Sequence, residues 1–290
     1  MATGAVPLIA APGVGGGVDL GAVDLGLPSV IGHRGAAGLA PENTLAALRK
    51  AHAVGCRWVE IDLRLTADGA LVLLHDERID RTTNGRGRVA RLPWAALQRY
   101  DAGGWFDPAF AGEPVPSLAE AIAVLGECGL GANVELKCAR DRGRAIGGRA
   151  AAELTRLWPP QLPAPLLSSF VPDALDAARA AAPGIARALL LGRATPGRWG
   201  CAADLGCIAI GLDHRSLRRS VVAEIREAGD CVLAYTVNDA ARARELFDWG
   251  VTSVFSDVPH LIIGTVAAGD GPDGVAPPAG RAASRRDIVS

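Results

Sequence analysis

The sequence lacks an excess of either charge, a cysteine pair at metal-binding spacing and a long apolar run. Lys and Arg number 30 and Asp and Glu number 31, so the formal net charge is −1 at pH 7. This balance gives no broad basic surface for DNA, RNA or an anionic membrane. We therefore expect no nucleic-acid partner, and an anionic substrate has to be bound by a local cluster of basic side chains.

The cysteines and the apolar N-terminus bear on the cellular context. Six cysteines occur without a C-x2-C pair, which favours free thiols in a reducing compartment over zinc ligation or a disulfide framework. The segment AVPLIAAPGVGGG has no Lys or Arg before it and is interrupted by Pro and Gly, which disfavours a signal peptide. No run approaches the roughly 18 apolar residues of a membrane helix. The sequence predicts a cytoplasmic protein without stable membrane insertion and leaves its oligomeric state open.

The chain has two compositionally simple ends and a patterned middle. Residues 1–27 are rich in Gly and Ala, and residues 264–290 are rich in Gly and Pro, so both are predicted to be disordered tails. In residues 28–263, short β-branched or apolar runs alternate with helical stretches rich in Ala, Leu and Arg. This alternation is typical of βα units around a parallel sheet and predicts a single α/β domain.

Nine runs have the pattern of strands: 28–33, 57–65, 70–75, 132–137, 165–170, 185–191, 207–212, 231–237 and 252–257. The second and third are joined only by TADG, which is too short for a parallel crossover, so they must form an antiparallel hairpin. Helices are predicted between the other strands, at 44–55, 117–129, 172–182, 216–229 and 239–250.

Eight parallel strands in about 230 residues predict a (β/α)8 TIM barrel. The alternative is a doubly wound open sheet, which lacks support because no GxGxxG follows the first strand. The polar segment 77–116 interrupts the alternation and carries several aromatic residues. We predict that it is a small inserted subdomain that packs over one end of the barrel.

The hairpin carries three ionisable side chains, Glu60, Asp62 and His75. A two-residue turn at Asp68-Gly69 would place His75 opposite Asp62, and a four-residue TADG loop would place it opposite Glu60. In both registers the three groups share one face, because side chains alternate along a strand. The opposite face would be apolar, formed by Val59, Ile61, Leu63, Leu65, Val72 and Leu74. A solvated polar face is the alternative explanation of the pattern.

Charged residues also stand at the ends of two other predicted strands. His33 and Arg34 directly follow VIG, and Glu135 and Lys137 end the run NVELK. The carboxyl ends of the strands form the active-site face of a TIM barrel. Charges that meet there are costly to bury unless they bind a metal or an anion, so this placement favours a functional cluster.

The residue types in the cluster point to one chemistry. The carboxylates of Glu60, Asp62 and Glu135 suit a hard divalent cation, Mg²⁺ or Ca²⁺. Beside such a cation, an arginine fork and a lysine point charge make a pocket for phosphate, and two histidines supply a general base and a general acid. The set predicts metal-assisted phosphoryl transfer with acid–base catalysis.

Longer stretches of the chain resemble glycerophosphodiester phosphodiesterases. They are IGHRGAAGLAPENTLAAL (31–48), GCRWVEIDLRLTADGALVLLHDERIDRTTNGRG (55–87), YDAGGWFDPAFAGEPVPSLAEAI (100–122), VELK (134–137), SSF (168–170), YTVND (235–239) and GVTSVFSDVP (250–259). The motifs stand in family order over about residues 28–260. The resemblance implies a TIM barrel with a small subdomain inserted after the hairpin. It also implies hydrolysis of a small-molecule glycerophosphodiester to sn-glycerol 3-phosphate and an alcohol.

The resemblance also implies roles. By their place in the motifs, His33 and His75 resemble the family's acid–base pair. Glu60, Asp62 and Glu135 resemble its metal ligands, and Arg34 and Lys137 resemble its phosphate-binding residues. In this family the substrate's own 2-hydroxyl is thought to attack phosphorus, and water then opens the resulting cyclic phosphate. The sequence does not say which histidine is the acid.

Three positions stay open. The family usually has Trp in its W-T-x-N motif, whereas this chain has Tyr235, whose ring could still bind the substrate. Glu42 of PENT could orient the site, or the same segment could simply begin a helix with Asn43 as its cap. Asp257, after the last strand, could position a basic residue in the barrel mouth or cap the turn before Pro259.

Rival functions are also open. A lysophospholipase D-like enzyme would share the histidines and carboxylates but should have a contiguous apolar rim, whereas residues 77–93 are polar and basic. A non-catalytic phosphate-binding barrel would have lost some of the chemistry, yet both histidines and all three carboxylates are present. A sugar-phosphate isomerase would need a Gly-rich phosphate loop near the last strands, and none stands out there.

Overall fold

Nine strands lie in the part of the chain that this computed structural model describes, residues 25–193 and 199–266. They are β1 Val30–Gly32, β2 Trp58–Leu65, β3 Leu71–Leu73, β4 Gly131–Leu136, β5 Leu166–Ser169, β6 Ala186–Leu191, β7 Ala209–Asp213, β8 Cys231–Tyr235 and β9 Ser253–Ser256. Each predicted run therefore contains a strand.

Eight of the strands close into a parallel barrel. β1 pairs with β9 on one side and with β2 on the other, and the remaining neighbours follow in the order β2, β4, β5, β6, β7, β8, β9. β1 meets β2 only at Gly32 and Val59, and beyond that point the same edge of β2 is taken by the antiparallel strand β3. The predicted TIM barrel is confirmed, with the hairpin standing at its carboxyl-end mouth.

Nine helices lie in the same ranges: α1 Leu45–Ala53, α2 Trp94–Leu97, α3 Leu118–Cys128, α4 Gly143–Leu157, α5 Pro172–Ala181, α6 Cys201–Asp204, α7 Arg219–Glu227, α8 Ala240–Asp248 and α9 Pro259–Val266. The five predicted helices correspond to α1, α3, α5, α7 and α8. The longest helix, α4, was not among them, because three glycines in its first six residues weaken the helical pattern. In the described ranges, none of the helices combines the length and apolar character needed to cross a membrane.

The glycines of α4 allow it to pack closely on α5. A Cβ atom at Gly147 would lie 2.0 Å from the carbonyl oxygen of Ala174 in α5, and one at Gly143 would lie 2.9 Å from Cγ1 of Val171. Such distances are too short for any real Cβ contact. The glycines thus lower the helix propensity of the first turns of α4, but they allow its backbone to pack tightly against α5.

Exchanging Gly147 for alanine is expected to lower the free energy of unfolding by about 1–3 kcal/mol, because the new methyl group must push the two helices apart. Gly148→Ala is the matched control, since a Cβ at Gly148 meets nothing within 4 Å. That variant should gain up to about 1 kcal/mol from higher helix propensity. Chemical denaturation of both variants measures the two effects. Equal changes in the two variants would contradict the packing argument.

The barrel interior is filled at its lower end by apolar side chains and at its mouth by ionisable ones. The lower cluster contains Leu25, Ile31, Trp58, Leu166, Ala186, Ala188, Ala209, Leu233 and Phe255. Trp58 fits because its strand neighbour is Gly131, where a Cβ would lie 2.3 Å from the indole. Side chains alternate along β2, so Glu60 and Asp62 share the inward face of Trp58 and stand successively higher in the barrel.

The hairpin register differs from both predicted ones. Leu63 faces Leu73, Thr66 donates its N–H to the carbonyl of Ala70 at 3.0 Å, and Gly69 has φ 79°. The loop therefore has three residues, 67–69, with glycine in the left-handed position that such loops require. This one-residue shift would turn His75 away from the carboxylates. The strand ends at Leu73, however, and the chain bends at residue 75.

The predicted apolar face of the hairpin is right for the residues of β2 and wrong for Val72 and Leu74, for the same reason. Leu71 and Leu73 join Val59, Ile61 and Leu63 in the main core. Val72 and Leu74 instead point to the other side and pack against residues of the segment 77–116, namely Ile79, Val89, Leu97, Ala102 and Val115. The segment therefore has a small apolar core of its own, seated on the hairpin beside the barrel mouth.

The predicted tails lie outside the described residues except for three residues at each inner end. Leu25 is buried in the lower barrel cluster, with Leu27 packed against it. At the other end, α9 continues to Val266. Residues 25–27 and 264–266 therefore belong to the folded part although the tail prediction includes them, because the flanking Gly-rich composition hid a buried leucine and the last turn of a helix.

Candidate active site

Three carboxylates form a buried cluster at the barrel mouth. Glu60 and Asp62 lie on β2 and are each 1% exposed, and Glu135 on β4 is 8% exposed. β2 and β4 pair in parallel with Asp62 beside Glu135, so the three side chains share the interior face. One oxygen from each lies within 4.8 Å of the others.

Burial and mutual repulsion separate the acidities of the three groups. For Glu60, burial and then the charge of Asp62 raise the pKa well above its ordinary value. Burial and then Asp62 likewise raise the pKa of Glu135 to about 7. Asp62 is equally buried, but the charges of Lys137 and Arg34 outweigh burial and lower its pKa to about 2. Asp62 is thus ionised at neutral pH, whereas ionisation of Glu60 and Glu135 is disfavoured unless a positive charge lies beside them.

Two cationic side chains border the cluster. Lys137 Nζ lies 2.6 Å from Glu135 Oε1 and 3.4 Å from Asp62 Oδ1, and Arg34 Nε lies 3.3 Å from Asp62 Oδ2. Arg34 has φ 51°, and this turn aims its backbone N–H at Glu60 Oε2 at 2.9 Å. Arg34 and Lys137 therefore reach the acidic cluster from opposite sides, after β1 and β4.

The donor set fits a hard divalent cation. Glu60 Oε1 is buried and has no hydrogen-bond partner among the described residues, although a buried carboxylate oxygen is costly to leave unsatisfied. All three candidate ligands are carboxylates, the oxygen donors that Mg²⁺ and Ca²⁺ prefer. A dication would also offset the repulsion that raises the pKa values of Glu60 and Glu135.

His33 is held by a chain of hydrogen bonds on the far side of the mouth. Its Nδ1 lies 2.6 Å from Asp257 Oδ1, and Asn238 Nδ2 donates to Asp257 Oδ2 at 2.7 Å. His33 Nε2 lies 3.8 Å from Glu60 Oε2. A carboxylate at Nδ1 fixes the ring orientation and leaves Nε2 as the atom that faces the cluster. Asp257 therefore positions a basic residue of the mouth, the first of the two roles considered for it.

His75 is held in a similar way by the segment that follows the hairpin. Its Nδ1 lies 2.7 Å from Asp76 Oδ1, and Arg81 donates from Nε to Asp76 Oδ2 at 2.7 Å. Arg64 Nε donates to the backbone carbonyl of His75 at 2.9 Å, which anchors the bend. Burial lowers the pKa of His75, against the opposing charge of Asp62. Leu74 donates its N–H to the backbone carbonyl of Asp62 at 3.0 Å, so the chain brings the next residue, His75, close to Asp62 despite the shifted register.

The PENT segment orients the site, and the predicted cap is wrong. Thr44, not Asn43, is the N-cap of α1 and accepts a hydrogen bond from the N–H of Ala47. Asn43 instead donates to Asp62 Oδ2 at 2.7 Å and accepts from the N–H of Asp62 at 3.0 Å. Glu42 accepts from Arg34 at 2.7 Å and also pairs with Arg81. The last residue of the segment, Thr44, thus caps a helix, while the two before it hold Arg34 and Asp62.

Tyr235 lies at the end of β8, on the side of the mouth near β5 and β6. Its hydroxyl donates to the carbonyl of Leu191 at 2.7 Å, and its ring meets the edge of Phe170 with centroids 5.9 Å apart. Lys137 Nζ lies 5.6 Å from the centroid of Phe170. An aromatic wall therefore borders the cation side of the cluster.

All eight site residues predicted from the sequence lie at this one mouth: His33, Arg34, Glu60, Asp62, His75, Glu135, Lys137 and Tyr235. Sequence reasoning missed the residues that hold them, chiefly Asn43, Asp76, Arg81 and Asn238. Only Asp76 carried a signal, since it directly follows His75 in the chain.

The fold and the site together place the protein among the TIM-barrel phosphodiesterases. The sequence model of the glycerophosphoryl diester phosphodiesterase family matches residues 33–261. The chain belongs to this family, and it is an enzyme of the phosphoric diester hydrolase class.

Similar proteins span nearly the whole described chain. A glycerophosphodiester phosphodiesterase of Bacillus subtilis (strain 168) is 33% identical over 252 residues, covering 80% of this chain and 84% of that protein. A solved phosphodiesterase of Oleispira antarctica, in complex with the product sn-glycerol-3-phosphate, is 38% identical with a TM-score of 0.81 and covers 83% of this chain and 97% of that one. A glycerophosphodiester phosphodiesterase from Agrobacterium tumefaciens str. C58 is 30% identical, with a TM-score of 0.69 over 82% of this chain and 100% of that one. The family resemblance seen in the motifs is confirmed.

Proposed function

We propose that the protein hydrolyses small glycerophosphodiesters to sn-glycerol 3-phosphate and an alcohol, with a divalent cation, Mg²⁺ or Ca²⁺, as cofactor. The observation that carries the proposal is the buried triad Glu60, Asp62 and Glu135, bordered by Arg34 and Lys137. The product sn-glycerol-3-phosphate bound to the Oleispira antarctica relative supports the same substrate class.

The triad would hold the cation, and the cation would supply positive charge that polarises the phosphoryl oxygens. Arg34 and Lys137 would bind the other phosphate oxygens, the arginine as a fork and the lysine as a point charge. Tyr235 would bind the substrate through its ring, beside Phe170. Together these groups would fix the phosphorus between the Nε2 atoms of the two histidines.

His33 and His75 would move the protons. One Nε2 takes the proton of the substrate's 2-hydroxyl as its oxygen attacks phosphorus, and the other gives a proton to the oxygen of the leaving alcohol as its bond to phosphorus breaks. The products of this step are a cyclic phosphate and the free alcohol. Water then opens the ring with the two histidines in exchanged roles, and the net reaction consumes one water molecule.

A substrate without the 2-hydroxyl tests the cyclic route. The analogue in which propane-1,3-diol replaces glycerol should be cleaved at least about 10³-fold more slowly than the glycerol diester, because the internal nucleophile and its effective concentration are lost. Phosphorus NMR of both reactions measures cleavage and detects a cyclic intermediate. Cleavage of the analogue at a rate near that of the glycerol diester would contradict the internal attack and favour direct attack by water.

The function itself is tested by release of glycerol 3-phosphate from glycerophosphocholine, glycerophosphoethanolamine and glycerophosphoglycerol. We expect release that EDTA stops and that Mg²⁺ or Ca²⁺ restores. No release from any of them, by protein that still binds the metal, would contradict the assignment to small diesters. A positive result with lysophospholipids would then favour the lysophospholipase D-like alternative, and none with any substrate would favour a phosphate-binding module.

The surface of the described residues favours the small diesters over lipids. The large hydrophobic side chains exposed there are few, namely Trp105, Phe170 and Leu261, and Phe170 lies beside Lys137 of the site. A lipid tail would need a contiguous apolar patch of several hundred Å². The proposal also includes a cytoplasmic location, which the six free thiols support.

A further inference from the structure

A cavity of about 450 Å³ adjoins the carboxylate cluster. It is bounded by the end of β2, by the segment 77–116 and by the segment 137–142 after β4. Lys137 belongs both to this cavity and to the site, because its Nζ contacts Glu135 and Asp62. Arg64, on another wall, holds the carbonyl of His75. The cavity and the carboxylate cluster therefore share Lys137 as a common wall.

The lining of the cavity is strongly cationic. Five basic side chains line it, namely Arg64, Arg88, Arg91, Lys137 and Arg142, against the two carboxylates of Glu77 and Asp141. Glu77 is already paired with Arg88. Within the described residues, the guanidinium groups of Arg91 and Arg142 have no carboxylate within 4 Å, and both side chains are exposed. The chain as a whole carries a net charge of −1, so this concentration of positive charge is local.

We infer that this cavity binds the leaving alcohol of the substrate and selects alcohols that carry a second phosphate group. The inference rests on the proposed function, since it concerns the part of the same diester that lies beyond the scissile phosphate. A cavity of this volume is in the range of small-molecule sites and is larger than one glycerol unit requires. Guanidinium groups without a partner bind phosphate with paired, charge-assisted hydrogen bonds.

The same lining disfavours cationic alcohols. Choline and ethanolamine would bring an ammonium group among five basic side chains, where one of the two carboxylates is already paired. Like charges at such distances repel and reduce affinity. The cavity thus attracts phosphorylated alcohols and repels cationic ones.

The test compares two substrates that differ by one phosphate group: glycerophosphoglycerol, and the same diester with a phosphate monoester on its leaving glycerol. For the unmodified enzyme at low ionic strength, kcat/KM should be about tenfold higher for the phosphorylated diester. The ratio should fall as salt is added, because the guanidinium groups are exposed. In the double variant Arg91→Glu/Arg142→Glu, the ratio should fall below one.

Arg140→Glu provides the matched control. Arg140 lies in the same short helical turn as Arg142 but does not line the cavity, so this variant should keep the ratio of the unmodified enzyme. Hydrolysis of both diesters with equal kcat/KM, or an unchanged ratio in the double variant, would overturn the inference and leave the proposed function intact. Hydrolysis of neither diester would overturn both.

Discussion

Replacing His33 or His75 by alanine is expected to lower kcat for glycerophosphoglycerol about 10³-fold in each variant. Each ring has its Nδ1 beside a carboxylate, Asp257 or Asp76, so each has one nitrogen free for proton transfer. The proposed reaction needs a proton acceptor and a proton donor in the same step. Loss of either should therefore stop both halves of the reaction, and steady-state release of glycerol 3-phosphate measures the effect.

A substrate with an activated leaving group separates the two roles. A p-nitrophenyl ester of glycerol phosphate releases a weakly basic alcohol, which leaves without a proton. The variant that lacks the general acid of the first step should therefore recover most of its rate of p-nitrophenol release in the first turnover, which reports that step alone, and the variant that lacks the general base should not. Equal recovery, or no recovery, in both variants would contradict a division of labour between His33 and His75.

The controls distinguish chemistry from folding. His52 is exposed on α1, so His52→Ala should leave kcat unchanged. Asp257→Asn and Asp76→Asn keep the shape of the side chain that contacts each histidine but remove its charge. Each should lower kcat about tenfold, because the ring is less well oriented. A loss in these variants as large as in the histidine variants would mean that the carboxylate also sets which ring nitrogen carries the proton, and not only the orientation of the ring.

The site was largely predictable because its residues stand at strand ends. A parallel barrel brings the carboxyl ends of all its strands to one mouth, so His33, Arg34, Glu135 and Lys137 could be placed together from their strands alone. The residues that hold these side chains in place could not be predicted in this way. Asn238 reaches Asp257 across 19 positions and Arg81 reaches Glu42 across 39, and no spacing rule connects such pairs in the sequence.

The hairpin shows why the strand register could not be predicted from the sequence. The loop length decides which residues face each other, and a shift of one residue exchanges the two faces. The sequence allowed two-residue and four-residue loops, and the chain uses three residues with Gly69 in the left-handed conformation. The chain leaves the strand after Leu73, and Leu74 donates its N–H to the carbonyl of Asp62, so His75 follows a residue that is still held at Asp62. The predicted register was wrong, and the roles of the ionisable residues on the hairpin stay predictions.

Binding of Mg²⁺ or Ca²⁺ is expected to stabilise the unmodified protein and not the variant Glu60→Gln. At a metal concentration 100 times Kd, binding to the folded state alone contributes about 2.7 kcal/mol. For a domain of this size that corresponds to a rise in Tm of roughly 5–10 °C. Thermal unfolding of EDTA-treated protein, with and without added metal, measures the shift without reference to activity.

The matched control removes the same charge from the outer surface. Glu127 is exposed on α3, where it pairs with Arg49, so Glu127→Gln should keep the full metal-induced shift. A shift in Glu60→Gln as large as in the unmodified protein would contradict the assignment of the triad as the metal site. Isothermal titration with each metal then shows whether the cluster prefers Mg²⁺ or Ca²⁺.

Without metal, Glu60→Gln should melt at or above the temperature of the unmodified protein. The pKa of Glu60 is raised in the fold by burial and by Asp62, so above the ordinary glutamate pKa the folded state bears an ionisation cost that the unfolded state does not. Gln removes this cost and can still accept the hydrogen bond from the N–H of Arg34. The difference should vanish as the pH falls below the ordinary glutamate pKa, where both states bind the proton. A metal-free variant that melts well below the unmodified protein at neutral pH would mean that Glu60 serves the fold, whereas the predicted result means that its carboxylate is kept for the cation at the expense of stability.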